Sequence, residues 1–343
     1  MENQKSSPFN IKAATPGKLK EFLKDKPFRA YQILKWVWQK DAKDFSCMTD
    51  ISKSLRERLS EEAFIPTHRL IRKVASSDGA IKFLFELLDG EKIESVFIPE
   101  GDRRTVCVST QAGCPLRCAF CRTGLMGFKR NLEWWEIVEQ VRAVREEVKE
   151  RITNVVFMGM GEPFLNYDNV LNALRMLNNV NYGLGIGARK LTVSTAGIIP
   201  GILKFAEVKE QFKLAISLNA TTDEVRSYLM PINKTYPLEP LFRALRHYCA
   251  RKRKRITFEY VLIKGVNDTD EDAKRLGRIA RSIPSKINLI PYNPCDELPF
   301  EEPDDRDVQR FYELLYPFNV TVTIRWSKGR EIKAACGQLL AES

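Results

Sequence analysis

Three cysteines crowd into the stretch AGCPLRCAFCRTG, residues 112–124, at Cys114, Cys118 and Cys121. Thiols at CxxxCxxC spacing are metal ligands. A closed structural zinc site would need a fourth cysteine or histidine, whereas iron-sulfur clusters also take their thiolates from loops of this kind. The chain has only two histidines, His68 and His247, and the one further cysteine nearby is Cys107. Three thiolates on a four-iron cluster leave one iron open, and an open metal position is where a ligand or substrate binds. The absent fourth ligand therefore points to chemistry, with structural zinc as the alternative.

The rest of the chain must position that loop. Its 343 residues, 44% hydrophobic, suffice for one large domain and a smaller one. No run approaches the ~20 apolar residues of a membrane span, and the first thirty residues lack the apolar core of a secretion signal. A cytoplasmic protein without a membrane partner is expected, and in a reducing compartment eight cysteines are poor disulfide material. Lysine and arginine outnumber acids 55 to 44, a net charge of +11 that favours a polyanionic partner such as nucleic acid.

Residues 16–64 read as helices, with Phe28, Tyr31, Ile33, Leu34, Trp36, Val37 and Trp38 forming an apolar patch. A basic helical accessory domain is expected over 1–68, its tryptophans in the domain core. Residues 69–104 read as a β-hairpin extension with an Asp89-Gly90 turn. From 105 to 343 the pattern is strand, loop, helix, repeated. Apolar strands are expected over 105–110, 154–160, 190–195, 213–220, 256–263, 286–293 and 320–325, and a helix after Asn131 as N-cap. The fold class is α/β: a partial (β/α)6-type barrel whose chemistry sits at the C-terminal ends of its strands.

At those ends lie Gly161 and Glu162 in GMGEP, then Ser194, then Ser217, Leu218 and Asn219, and finally Asn293. Alone, each could equally form a turn or cap a helix. Cys107 and Cys336, taken alone, read as core cysteines, and Glu94 as a solvent-facing acid near a strand end. On strand alternation Lys92, Glu94, Val96 and Ile98 share one face, which would shield Glu94 and raise its pKa.

CxxxCxxC after the first barrel strand resembles the signature of radical S-adenosylmethionine (SAM) enzymes. FRAYQILKW, IESVFIPE, VCVSTQAGCPLRCAFC, FMGMGEP, VSTAGIIP, ISLNA, LMPINKTYP, GVND, NLIPYNP and AACGQL extend the resemblance over most of the chain. They are similar to the bacterial adenine carbon-2 methyltransferases of 23S ribosomal RNA, which also act on transfer RNA. The resemblance implies a 4Fe-4S cluster on Cys114, Cys118 and Cys121, its open iron binding SAM. Two SAM molecules are used per turnover, and SAM is contacted by Gly161, Glu162, Ser194, Ser217, Leu218, Asn219 and Asn293.

It further implies that Cys336 carries the methyl group as S-methylcysteine and forms a thioether with the RNA. Glu94 would accept the carbon-2 proton, and Cys107 would resolve the thioether through a transient disulfide with Cys336. An external electron donor such as flavodoxin or ferredoxin and a monomeric enzyme are expected. FIPE after Glu94 and Pro163 after GMGE follow the carbon-2 pattern rather than that of the sister enzymes acting on carbon-8.

Sulfur insertion into transfer RNA usually needs a second cysteine-bound cluster, for which Cys47, Cys249, Cys295 and Cys336 are too scattered. A non-catalytic iron-sulfur RNA-binding protein would have no use for Cys336 and Glu94. For RNA contact the helical domain, the run Arg251–Arg255 and the loops at the barrel mouth are expected, with the adenine extruded into the pocket. That run could equally be a solvated face completing the end of the helix before it.

Overall fold

A computed structural model describes residues 8–341; the first seven residues of the expected helical domain and the last two of the chain lie outside it. One ten-stranded sheet organises the molecule. Its strands are β1 (Arg69–Ala75), β2 (Ile81–Glu86), β3 (Lys92–Glu100), β4 (Arg103–Cys107) and β5 (Asn154–Phe157). They continue as β6 (Leu191–Thr195), β7 (Lys213–Ser217), β8 (Ile256–Leu262), β9 (Ser285–Pro291) and β10 (Thr321–Ile324). Spatial order follows chain order throughout. β1 to β4 pair antiparallel, and β4 to β10 pair parallel.

The parallel strands are short apolar runs because helices cover one face and the barrel interior the other. Val155, Phe157, Val193, Ile216, Phe258 and Leu289 are fully buried. β1 and β10 remain as edges, so the barrel is partial. The expected hairpin is a three-strand extension of this sheet, turning at Asp89 and Gly90 between β2 and β3.

Three strands stop three residues earlier than their apolar patterns suggested, at Cys107, Phe157 and Ser217. Beyond Cys107 and Phe157, side chains and irregular backbone take over the hydrogen bonds: Ser109 Oγ donates to Glu94 O at 2.6 Å, and Thr110 N to Met160 O at 2.8 Å. The helix expected after Asn131 runs from Trp134 to Val148, with Glu133 as N-cap in a capping box with Glu136. Asn131 instead ends a short ribbon, Phe128–Asn131 against Gln111–Gly113, and its Oδ1 accepts from Gln111 Nε2 at 2.8 Å.

The N-terminal helices Pro16–Leu23, Phe28–Trp38 and Lys53–Glu62 pack on the barrel. Trp38 is fully buried, and Trp36 donates from Nε1 to Asp50 Oδ1 at 2.6 Å. A buried ion pair joins this unit to helix 134–148: Lys12 Nζ lies 2.5 Å from Glu139 Oε2, and Arg142 closes on both Glu139 oxygens. Removing one partner would strand a buried charge, which is strongly destabilising.

After β10, residues 325–341 form an irregular strap. Lys328 Nζ donates to Pro99 O and Gly329 N to Asp78 Oδ2, both at 2.8 Å. Farther on, Gly337 O accepts from Arg122 N at 2.8 Å, and Leu339 O from Thr123 Oγ1 at 2.7 Å. The strap thus ties the edge strand to the antiparallel strands and to the cysteine loop, carrying Cys336 with it. Among the described residues no helix is long and apolar enough to cross a membrane.

Candidate active site

The cysteine loop is held at both ends. Gly113, at φ 74°, packs so tightly that a Cβ would meet Gly127 O at 1.9 Å, so no larger residue fits. Cys114 N donates to Gly127 O at 2.8 Å, and Ala119 N to Leu229 O at 2.9 Å. Cys114, Cys118 and Cys121 line one cavity together. Burial pushes all three thiols up, Cys114 to about 12.

Thiolates in such surroundings need a cationic partner, which iron provides. Among the described residues no three His, Cys, Asp or Glu side chains converge on a single-ion position. Three thiols from one short loop in the wall of one cavity are a donor set of the kind iron-sulfur clusters take. The donor set therefore fits the cluster.

The same cavity is lined by Gly161, Glu162, Ser194, Ser217 and Asn219, at the ends of β5, β6 and β7. Gly161 has φ 96°, and a Cβ there would lie 2.6 Å from Gln111 Cβ. Glu162 is buried, which raises its carboxyl pKa. Its oxygens accept from Phe164 N at 3.0 Å and Ala196 N at 2.7 Å, tying the end of β5 to that of β6. Ser194 and Ser217 face each other, Oγ to Oγ at 3.4 Å.

Of the seven expected cofactor contacts, Asn219, Leu218 and Asn293 have their polar groups engaged elsewhere or lie outside the cavity. Asn219 lines the cavity, but its Oδ1 accepts from Val261 N at 2.9 Å and its Nδ2 points at Met230 Sδ at 3.3 Å. Leu218 is fully buried and does not line the cavity. Asn293 also lies outside it; its Nδ2 donates to Ser327 Oγ at 3.1 Å and to Cys336 O at 3.2 Å.

Cys336 lines this cavity and a second one, whose walls include Ile98, Cys107, Met158, Arg325 and Trp326. Register explains how Cys107 arrives there. It pairs with Val96, so it shares a sheet face with Glu94 and Ile98. Burial pushes the Cys107 thiol up to about 12, and the Cys336 thiol is raised for the same reason. The Arg325 guanidinium opposes burial at both thiols.

Glu94 is fully buried and lines neither cavity. Lys82 Nζ is 3.0 Å from its Oε1, and Leu340 N donates to its Oε2 at 2.9 Å. Burial raises the carboxyl pKa and Lys82 pulls it back.

Sequence reasoning missed three residues that line these cavities, and the lysine, Lys82, that pairs with Glu94. Arg325 and Trp326 directly follow the last strand, where the strand-end rule could have found them. Glu259 lies within β8 and faces the first cavity, held by Asn288 Nδ2 at 3.0 Å and 3.2 Å. Lys82 lies within β2. A lone charge inside an apolar strand was the available signal for both.

The run Arg251–Arg255 precedes β8, at the N-terminal ends of the parallel strands and opposite the site. Arg251 binds both oxygens of Glu207, Lys252 caps Val208 O and Glu210 O, and Lys254 Nζ donates to Gln211 O. Three of its five side chains are thus held by residues 207–211 rather than by the end of the helix before the run. His68 is likewise structural, its Nε2 lying 2.8 Å from Glu136 O.

Residues 108–277 match the radical SAM superfamily, and residues 9–65 match the ribosomal RNA large subunit methyltransferase N-terminal domain. The dual-specificity RNA methyltransferase RlmN of Desulfosudis oleivorans is 48% identical over 92% of this chain and 85% of the relative. That of Anaeromyxobacter dehalogenans is 47% identical over 93% and 88%. A crystal structure of a radical SAM methyltransferase from Sphaerobacter thermophilus superposes with a TM-score of 0.93 at 42% identity, covering 98% of this chain and 100% of that one. Relatives this similar over most of the chain, together with the two domain matches, show that the chain belongs to the RlmN family of radical SAM dual-specificity RNA methyltransferases.

Proposed function

We propose that this enzyme methylates carbon-2 of a specific adenine in 23S ribosomal RNA and in transfer RNA. The observation that carries the reading is the position of Cys336 in the walls of both cavities. On one side stand three thiols and strand-end polar groups suited to a cluster and SAM. On the other stand Cys107, Arg325 and Trp326, suited to an acceptor base. Cys114, Cys118 and Cys121 would hold the cluster, and Gly161, Glu162, Ser194 and Ser217 the SAM.

Bound there, cluster and SAM supply one-electron chemistry able to take a hydrogen atom from a methyl group, with the electron coming from an external donor such as flavodoxin or ferredoxin. Adenine carbon-2 is electron-poor and does not attack an electrophilic methyl, so addition of a sulfur-bound methylene radical is the open route. The chain's own tasks are placement, proton transfer and thiol exchange.

Cys336, as thiolate, accepts a methyl group: the new S–C bond forms as the sulfonium S–C bond breaks. Arg325 favours that thiolate against the cost of burial. Once Cys336 is joined to the base, restoring the aromatic ring releases the carbon-2 proton and one electron, and the electron would return to the iron-sulfur cluster that Cys114, Cys118 and Cys121 would hold. Glu94 accepts the proton after the Leu340 amide gives way. The Cys107 thiolate then attacks the sulfur of Cys336; the S–S bond forms, the S–CH2 bond breaks, and the carbon takes a proton to become a methyl group.

The test is anaerobic reconstitution with iron and sulfide, then incubation with SAM, a reductant and unmodified large-subunit RNA or transfer RNA. Nucleoside mass spectrometry should show 2-methyladenosine from both. 8-Methyladenosine would move the enzyme to the sister chemistry, and product from one RNA alone would narrow its substrates.

A further inference from the structure

Lys82 belongs to β2 and Glu94 to β3, and the register pairs Leu84 with Glu94 and Lys82 with Val96. The two charged residues are therefore diagonal neighbours on one face, a separation that long side chains bridge. Both are buried, with Nζ 3.0 Å from Glu94 Oε1. The same Nζ donates to Lys333 O in the strap at 3.2 Å. A lysine inside an apolar strand loses its hydration, and packing alone would favour a hydrocarbon there.

We propose that Lys82 is a positioning residue that keeps the buried Glu94 carboxylate ionised and aimed, and that couples it to the strap carrying Cys336. The inference rests on Glu94 being the proton acceptor. The groups facing the carboxylate are Lys82 from β2, the exposed Arg72 from β1 and the Leu340 amide from the strap. When the strap yields the Leu340 hydrogen bond, the ammonium stays at Oε1. It holds the carboxylate charged while each oxygen retains a lone pair.

In the step served, the carbon-2 C–H bond breaks, its electron pair returns to the ring, and an O–H bond forms on Glu94. The Lys82 side chain takes no part in these bond changes. Removing its charge leaves a desolvated carboxylate that binds a proton too early, so the base is lost at pH values where the wild type works.

The experiment uses the full chain with Lys82→Met and Lys82→Arg, and Glu94→Gln as reference. Infrared difference spectra of the metal-free protein, with Glu94→Gln as blank, report the protonation midpoint of Glu94. In the reconstituted enzyme, the covalent protein-RNA adduct is followed against pH on denaturing gels. Lys82→Met should raise the midpoint by about one pH unit or more, move the acid limb of adduct release upward equally, and accumulate adduct at neutral pH. Lys82→Arg should restore both readouts. An unchanged midpoint and acid limb in Lys82→Met, or equal defects in Lys82→Arg, would overturn the role of Lys82. Wild-type turnover in Glu94→Gln would overturn the reading of Glu94 itself.

Discussion

Asn293 donates from Nδ2 to the carbonyl oxygen of Cys336 at 3.2 Å, so a residue expected to hold the cofactor grips the loop that carries the proposed methyl acceptor. A second bond, to Ser327 Oγ at 3.1 Å, fixes both ends of the strap segment to the end of β9. Asn293→Ala should leave SAM affinity nearly unchanged and slow methylation of Cys336 about tenfold, the scale of one lost hydrogen bond. Equilibrium SAM binding and the intact mass of the protein over time separate the two. A large loss of SAM affinity with a normal methylation rate would return Asn293 to the cofactor site.

In the proposed reaction Glu94 and Cys107 act in sequence, so their variants should stop it at different forms of one adduct. Glu94→Gln should retain the proton on carbon-2, whereas Cys107→Ala should accumulate the aromatic thioether. Both should cut product by roughly 100-fold or more, within the range of lost acid-base catalysis. Adduct made from RNA deuterated at carbon-2 distinguishes them by mass. In the wild type, the proton-accepting step should speed up as pH rises through the Glu94 pKa, which burial places above the ordinary carboxylate range. Below it the base is protonated and the adduct should persist.

Gly161 turns the chain at φ 96° against Gln111, whose side chain would sit 2.6 Å from an added Cβ. Gly161→Ala should cost roughly 1–3 kcal/mol through backbone strain and weaken SAM binding as the loop shifts. Thermal unfolding and SAM titration check this. Full stability with normal affinity would mean that the loop relaxes freely.

The cysteine loop could be read from sequence because its ligands lie within one short stretch, and the parallel strands because each is an unbroken apolar run. Cys336 lies far from that loop in the chain, and only the course of the strap brings it to the cavity wall. The Lys82 and Glu94 pairing depends on a diagonal cross-strand relation, which alternation along one strand does not reveal. Asn131 and Glu133 show the limit at helix ends: both residues can cap, and the ribbon pairing at Gln111 decides between them. Arg251–Arg255 looks like a nucleic-acid patch in the sequence, whereas the fold engages Arg251, Lys252 and Lys254 with the Glu207 carboxylate and carbonyls of residues 208–211.

Arg253 and Arg255 therefore make a sharp test of where RNA does not bind. Arg253→Glu with Arg255→Glu spares the capping lysines and reverses charge at the N-terminal end of the barrel strands. RNA affinity should change by less than about twofold, and the slope of affinity against salt should hold, since phosphate contacts would steepen it. A marked loss of both would place RNA across that end of the barrel.

Trp326 is 48% exposed and lines the cavity that also holds Cys107 and Cys336. An indole half in water at a cavity rim loses part of its hydrophobic benefit, and a stacked base would recover it. Base-aromatic stacking is worth about 1–3 kcal/mol by alanine substitution. Trp326→Ala should raise the KM for RNA by roughly 5- to 100-fold while the rate of Cys336 methylation, which needs no RNA, stays at the wild-type value. Trp326→Phe should recover most of the affinity because the ring face is kept. If Trp326→Ala instead slows Cys336 methylation and leaves KM for RNA alone, the indole serves the strap and the base enters elsewhere.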